Sequence, residues 1–596
     1  MNFESGLRRA ESMRRRPGAL WGHRHSCEKT QASVSGASST FHGKEKHMPV
    51  KIIQGTSSAY GYPLLIKQLL HTPLATVPNQ EITYQGKIRY SYRTLRERIG
   101  RLASGLARLG VQAGQTVAVM DWDSHRYLEA FFAVPMMGAV LQTVNVRLNA
   151  EQILYTLNHA GADVLLVNRE FFPLLAPIAG RLESVRAFVL IDDEHGAVEG
   201  PVSFAVEYEA MLDGAVPDFE FEDFDENAQA TVFYTTGTTG LPKGVHFSHR
   251  QLVLHTLGVA TSVGTAAAGA AMRCGDVYMP ITPMFHVHAW GFPYVATLLG
   301  LKQVYPGRYL PASLLRLIAS ERVSYSHCVP SIMQMLLNHP DSASVDLKGW
   351  KVLIGGSAMS ETLALAALTR GIEVVTGYGL SETCPVVSIA HPGEADVRAP
   401  LETQARLRCK TGVPLPLVDL RIVTPEMRDV PHDEVATGEV VLRAPWLTQS
   451  YRDAPQASEE LWAGGYLHTQ DIGHIDSRGF LKITDRVKDV IKTAGEWISS
   501  LQLEDILISH EAVQETAVIG VPDEKWGERP LALVVLKPVY EGKVSEHDIR
   551  TYAIHLIETT NVSRHGILLH VRFVKELIKT SVGKLNKRAM REENLR

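Results

Sequence analysis

Six glycines and threonines followed by a lysine stand close together in this chain: Thr235, Thr236, Gly237, Thr238, Thr239, Gly240 and Lys243, inside the stretch TVFYTTGTTGLPKGVHFSH at 231–249. Glycines let a backbone approach a ligand closely and turn its N–H groups inward. Threonine hydroxyls add donors, and a lysine contributes the point charge that phosphate binders use. The β-branched and aromatic run from Thr231 to Tyr234 predicts a strand that delivers this loop. The chemistry implied is the holding of a polyphosphate. It is not a Walker A loop, because Gly244 follows Lys243 where that motif needs a hydroxyl for magnesium.

Two further places could carry chemistry. In PITPMFHVHAWGFPY, His286 and His288 are two residues apart. A metal pair is one reading, but with no third ligand nearby a packed or hydrogen-bonded pair is the better one. Gly355, Gly356, Ser357 and Ala358 follow a predicted strand at Val352 to Ile354. Open α/β sheets place their ligands at such strand ends.

The elements that must position these residues alternate. Leu95, Ile99, Leu102, Leu106 and Leu109 recur at helical spacing, with Gly110 where a helix stops. Thr116 to Met120, Val140 to Val144 and Ala162 to Val167 read as buried strands, with helices at Tyr127 to Met137 and Ala150 to His159 between them. Strand–helix alternation predicts parallel sheets covered by helices. Beyond Glu504 the pattern changes to a small α+β unit, with a helix at Leu503 to His510 and strands at Ala517 to Val521 and Leu531 to Leu536.

At 596 residues, more than one domain is required. Hydrophobic content of 45% and charged content of 21% suit a globular enzyme, and the net charge of −4 gives no electrostatic case for nucleic acid. The five cysteines have no C-x-x-C spacing, which speaks against a disulfide scaffold or zinc site and favours a cytoplasmic protein. No apolar run is long enough to span a bilayer. Residues 1–47 are rich in arginine and serine without apolar periodicity. A disordered extension, or a start assigned too early with Met48 the true one, fits them better than a transit peptide, given Glu4, Glu11, Glu28 and Glu45.

TTGTTGLPKGV resembles the phosphate loop of the adenylate-forming superfamily, which includes acyl-CoA synthetases, luciferases and peptide-synthetase adenylation domains. Further motifs follow in the family's order over nearly the whole chain. FHVHAWGFPY, GYGLSETCPVV and DRVKDVIKTAGEWISS are most similar to bacterial medium- and long-chain fatty-acyl-CoA ligases. The resemblance implies a large N-terminal α/β domain of several parallel-sheet subdomains (48–484) and a small mobile α+β C-terminal domain (485–596), hinged at Asp485. It also implies ATP and CoA as substrates, Mg²⁺ as cofactor and a fatty acid as the acid activated. Aryl acids, or loading of a carrier protein, are the alternatives. Relatives of this subgroup are often homodimers, and peripheral membrane contact would serve only to collect substrate.

The same resemblance assigns roles residue by residue. Lys584, in KTSVGKLNK, is the adenylation lysine, and His286 orients the carboxylate. Trp290 gates the acyl tunnel. Thr235 to Gly240 with Lys243 hold the phosphates, Gly356, Ser357, Ala358, Gly377, Tyr378 and Gly379 border the nucleotide, and Tyr378 stacks on adenine. Ser381 contacts the α-phosphate and carboxylate, and Glu382, with Thr238, holds Mg²⁺. Asp471 takes the ribose hydroxyls and Arg486 contacts ribose or phosphate. Lys492 and Trp497 meet the nucleotide, and Lys492, Gly495 and Glu496 form the CoA loop. Four positions depart from the family's pattern: Ser381 stands where family members commonly have Thr, Gln470 where most have Gly, Ala494 where many have Gly, and Ile578 where most have Pro.

Overall fold

The computed structural model describes residues 51–194, 200, 202–235, 241–493, 496–559, 564–580 and 584–594. Residues 236–240 of the phosphate loop, Gly495 and the side chains of Glu496 and Trp497 lie outside the described residues, as does the extension at 1–47. The chain divides after Gly61. Up to there, residues 51–61 carry no helix or strand; from Tyr62 to Arg596 the chain is one compact unit.

Local signals account for many elements. Ser91 accepts the Thr94 N–H and starts the helix Tyr92–Arg108, whose Leu95, Ile99, Leu102 and Leu106 are fully buried. Asn149 and Gln152 form a capping box on Ala150–Ala160, and Gly161 ends that helix in the left-handed conformation. Ser248 and Gln251 cap His249–Thr265 in the same way, directly after the phosphate hairpin.

Among the described residues four sheets form. The first has seven strands; Thr116–Met120, Val140–Thr143 and Gln229–Thr235 lie side by side in it and run parallel. Lys243–Ser248 returns antiparallel at its edge, with Thr235 paired to Lys243. Lys243 thus opens a strand rather than closing a loop, a difference from the sequence expectation. The hairpin register fixes it opposite Thr235. The second sheet has nine strands, and its middle (Tyr325–Cys328, Lys351–Ile354, Glu373–Gly379) is parallel and buried. The Gly355–Ala358 turn leaves the C-terminal end of the central one of these three.

The third sheet is antiparallel and pairs Asp471 in Leu467–Ile475 directly with Arg486 in Leu481–Arg486. The fourth pairs Val513–Asp523 with Gly527–Leu536, and His570–Phe573 joins the latter in parallel. Helices Ser500–Ile508 and Glu546–Thr559 supply Leu503, Leu507, Ile549 and Ile557 to one core of this part, while Met590 of helix Lys587–Asn594 and Leu577 fill a second. The mixed α/β class with a small α+β C-terminal part is as the sequence predicts.

Candidate active site

The strand Glu373–Gly379 ends in Gly-Tyr-Gly, still paired to Val386–Ile389 through a register shift after Tyr378, and the close approach there needs glycine. A Cβ on Gly379 would run into the Pro385 carbonyl. Tyr378 between the glycines donates its hydroxyl to Asp471 Oδ2 at 2.7 Å, and Arg486 donates Nε to Asp471 Oδ1 at 2.9 Å. Asp471 is therefore buried with both oxygens engaged. Gln470 before it has φ +59°, so it keeps the left-handed backbone that glycine would adopt more easily.

A cavity of about 360 Å³ opens over this cluster. Gly356, Ser357, Ala358, Gly377, Tyr378 and Gly379 line it on the sheet side, Asp471, Asp485 and Arg486 on another, and Lys584 reaches in from the C-terminal part. Lys584 is carried on one arm of a hairpin in which Lys579 faces Leu585: the Thr580 N–H donates to the Lys584 carbonyl at 2.7 Å, and the Lys584 N–H donates to Thr580 Oγ1 at 3.2 Å. Burial, then the neighbouring Arg486, pushes the Lys584 ammonium down to about 8, while Asp471 and Glu382 pull the other way.

Two smaller cavities, about 30 and 50 Å³, meet at Trp290. The first is lined by His286, Ser381 and Lys584 among others; the second by Arg147, Ile281, Tyr309, Val329 and Ile332, again with His286 and Lys584. The indole is 6% exposed and lies against the Gly355–Gly356 backbone: a Cβ on Gly355 would sit 3.0 Å from the ring, and one on Gly356 3.3 Å from Lys584 Cε. Trp290 is thus a packed aromatic that also lines both cavities, as His286 and Lys584 do. It is delivered by an unusual device. Val287, His288, Ala289 and Trp290 all have φ between +47° and +59°, and Gly291 follows at +75°. Left-handed backbone costs about 1–2 kcal/mol per non-glycine residue, and such strain gathers at functional sites.

His288 is fully buried among Phe131, Phe233, Phe247 and Tyr294 and does not face His286's cavities. Among the described residues no group of three or more His, Cys, Asp or Glu could hold a metal. Of the two readings of the histidine pair, packing is the one the geometry favours. Burial and then Lys584 push His286 down to about 3, so it is neutral at pH 7.

Glu382 accepts the Tyr451 hydroxyl at 2.7 Å, and Lys243 Nζ lies 4.7 Å from the centre of the Tyr451 ring. Sequence reasoning misses Tyr451, because no local pattern marks it; its partner Glu382 is 69 residues away. Lys243 and Glu382 do not line the three cavities but flank them, with Glu382 close enough to act on the Lys584 charge. Lys492 lies apart, exposed on the strand Ile491–Thr493, its backbone N–H donating to Glu528. Thr235 is half-buried at the end of its strand.

The profile of the AMP-binding enzyme family matches residues 71–452, and that of the AMP-binding enzyme C-terminal domain matches 502–584. This chain belongs to the AMP-binding enzyme family. A long-chain-fatty-acid–CoA ligase of Thermus thermophilus is 42% identical over 517 residues, covering 85% of this chain and 90% of the relative. A 3-methylmercaptopropionyl-CoA ligase of Ruegeria lacuscaerulensis is 36% identical over 83% of this chain and 89% of its own length. The crystal structure of the anthranilate CoA ligase AuaEII with anthranoyl-AMP superposes with a TM-score of 0.77 over 89% of this chain and 98% of that one; at 24% identity it establishes the shared fold.

Proposed function

We propose that this protein is an ATP-dependent fatty-acyl-CoA ligase that forms an acyl adenylate and then an acyl thioester. The observation that carries this reading is the insertion of Lys584 from the C-terminal hairpin into the cavity bordered by His286, Trp290, Gly356, Tyr378 and Ser381. The 42% identity to a long-chain-fatty-acid–CoA ligase supports a medium- to long-chain acid.

A carboxylate is a poor acyl donor, because its leaving group would be oxide. Attack of its oxygen on the α-phosphate of ATP expels pyrophosphate and leaves AMP as a good leaving group. The CoA thiol then attacks the acyl carbonyl, giving the thioester and AMP. The first step gathers negative charge, so preorganised cations and donors matter more than a general base. Lys584 and Lys243 supply charge, Ser381 and the 235–240 loop supply donors, and Asp471 with Arg486 holds the ribose end. Neutral His286 orients the acid, and Trp290 gates the acyl tunnel. Lys492, Gly495, Glu496 and Trp497 belong to the second step, after rotation about Asp485 of the part at 485–596 against that at 48–484.

Mg²⁺ fits the donor set. Glu382 offers one carboxylate beside the site, and magnesium takes one or two carboxylates plus substrate phosphates. Glu382, with Thr238, would hold it, and when bound it would neutralise phosphate charge. No described helix is long and apolar enough to cross a membrane. A cytoplasmic enzyme, homodimeric and touching membranes only at their surface, completes the reading; sizing chromatography and vesicle flotation test the last two.

The deciding experiment measures pyrophosphate and AMP with ATP and Mg²⁺ across alkyl acids of increasing length and benzoate, with and without CoA. Multiple turnovers only with CoA, peaking on medium or long alkyl acids, are expected. Equal turnover on benzoate moves the substrate to aryl acids, and turnover indifferent to CoA removes the ligase reading.

A further inference from the structure

A buried charged cluster lies where the third sheet hands the chain to the C-terminal part, on the wall of the cavity of about 360 Å³, and of its members the chemistry above uses only Asp485, as the hinge. Asp485 is the last residue but one of the strand Leu481–Arg486 and is 2% exposed. Its carboxylate sits at the N-terminus of helix Ser500–Ile508, accepting the Ser500 backbone N–H at 2.5 Å and the Ser500 hydroxyl at 3.0 Å. That hydroxyl has one proton, already given to Asp485. The 2.6 Å contact between it and Lys587 Nζ is therefore a donation from the ammonium. Lys587 also pairs with Glu504 Oε1 at 2.7 Å, and the same oxygen accepts the Val518 N–H.

These groups form one charge-assisted chain, Asp485–Ser500–Lys587–Glu504, and it spans the two halves of the site. Asp485 belongs to the strand that carries Arg486 and pairs with that of Asp471. Ser500, Glu504 and Lys587 belong to the C-terminal part, and Lys587 is three residues beyond Lys584, at the first position of helix Lys587–Asn594. The same helix is tied a second time toward the joint, by Arg591 to Asp489 at 2.8 Å. Without the ammonium, Asp485 and Glu504 would be two buried carboxylates with no cation between them, which disfavours the arrangement they share.

We propose that Ser500 and Lys587 are positioning residues, a clasp that holds the Lys584 hairpin in the cavity for adenylate formation and must open when the C-terminal part rotates. The proposal rests on the adenylation step of the ligase reading and adds to it what keeps the lysine in place. A rotation about Asp485 pulls its carboxylate off the helix end that donates to it. Every bond of the chain except that one moves as a rigid body, so the Asp485–Ser500 contact is where the clasp opens.

The test compares the wild-type protein with Ser500→Ala, Lys587→Met and Lys587→Arg in two separate assays. Adenylation is followed as acid-dependent ATP–pyrophosphate exchange without CoA; thioester formation is followed in a single turnover from prepared acyl-AMP and CoA. Hydrogen bonds to charged groups are worth enough to predict an adenylation loss of about tenfold for Ser500→Ala and about ten- to a hundredfold for Lys587→Met. Thioester formation should stay within about twofold, and Lys587→Arg, which keeps the charge, should recover part of the exchange. Equal losses in both assays, or no loss in either, overturn the clasp. Should Lys587→Met fail to fold, Ser500→Ala decides alone, since it removes one hydroxyl. A wild-type protein with no acid-dependent exchange removes the ligase reading and the clasp with it, whereas exchange without CoA-dependent turnover removes the ligase reading alone.

Discussion

The alkaline side of the adenylation pH profile should belong to Lys584. Its ammonium is pushed down to about 8 by burial and by Arg486, against Asp471 and Glu382. For a group titrating at about 8, about nine-tenths of the free protein is protonated at pH 7 and about one-tenth at pH 9. If only the ammonium supports attack on ATP, kcat/KM for ATP should fall about tenfold across that interval, because kcat/KM reports the free protein. The limb in kcat should lie higher, since bound triphosphate brings negative charge that favours the ammonium. The assay is pyrophosphate release in the absence of CoA, whose own thiol ionises at about 8.5 and would distort the profile. Two variants sharpen the test. Lys584→Arg stays charged throughout and should be slower but flat, while Asp471→Asn removes a stabilising carboxylate and should move the limb to lower pH. A wild-type kcat/KM that is flat from pH 7 to 9.5, or the same limb in Lys584→Arg, refutes the assignment.

Gly356→Ala places a Cβ 3.2 Å from Val329 Cγ1 and 3.3 Å from Lys584 Cε at φ +81°. It should lower adenylation at least about tenfold and cost about 1–2 kcal/mol in a denaturant melt. Trp290→Ala takes the indole from the wall of both small cavities, so the kcat/KM ratio between long and short acids should change severalfold; an unchanged ratio removes the gate. Glu129→Gln addresses the scaffold: the fully buried carboxylate accepts from Tyr90 at 2.9 Å, Tyr208 at 2.7 Å and Arg98 at 2.7 Å. An amide there opposes donor to donor, and urea melts should show a loss of about 3–5 kcal/mol, with KM for ATP unchanged in the folded protein.

What was legible in the sequence was local or ordered. The stop at Gly110, the helix from Ala150 to His159 and the strand before Gly355 each depend on residues close to one another in the chain. The site residues could be placed because their motifs follow a known order, and Gly356, Tyr378, Asp471, Arg486 and Lys584 do share one cavity. What was not legible depends on distant partners. Nothing within ten residues of Tyr451 points to Glu382, and nothing near Lys587 points to Ser500, 87 positions away. The run Val287–Trp290 goes further, since a β-branched valine and a tryptophan in left-handed backbone contradict their own preferences. Only packing can hold them there: His288 among four aromatic rings, and Trp290 on the Gly355–Gly356 backbone. Gly356 therefore has two neighbours that the sequence assigned to separate tasks, the indole on the acyl side and the lysine on the nucleotide side. A side chain at this position meets both, which is why Gly356→Ala should disturb acid selection and adenylation together, while Trp290→Ala should disturb selection first.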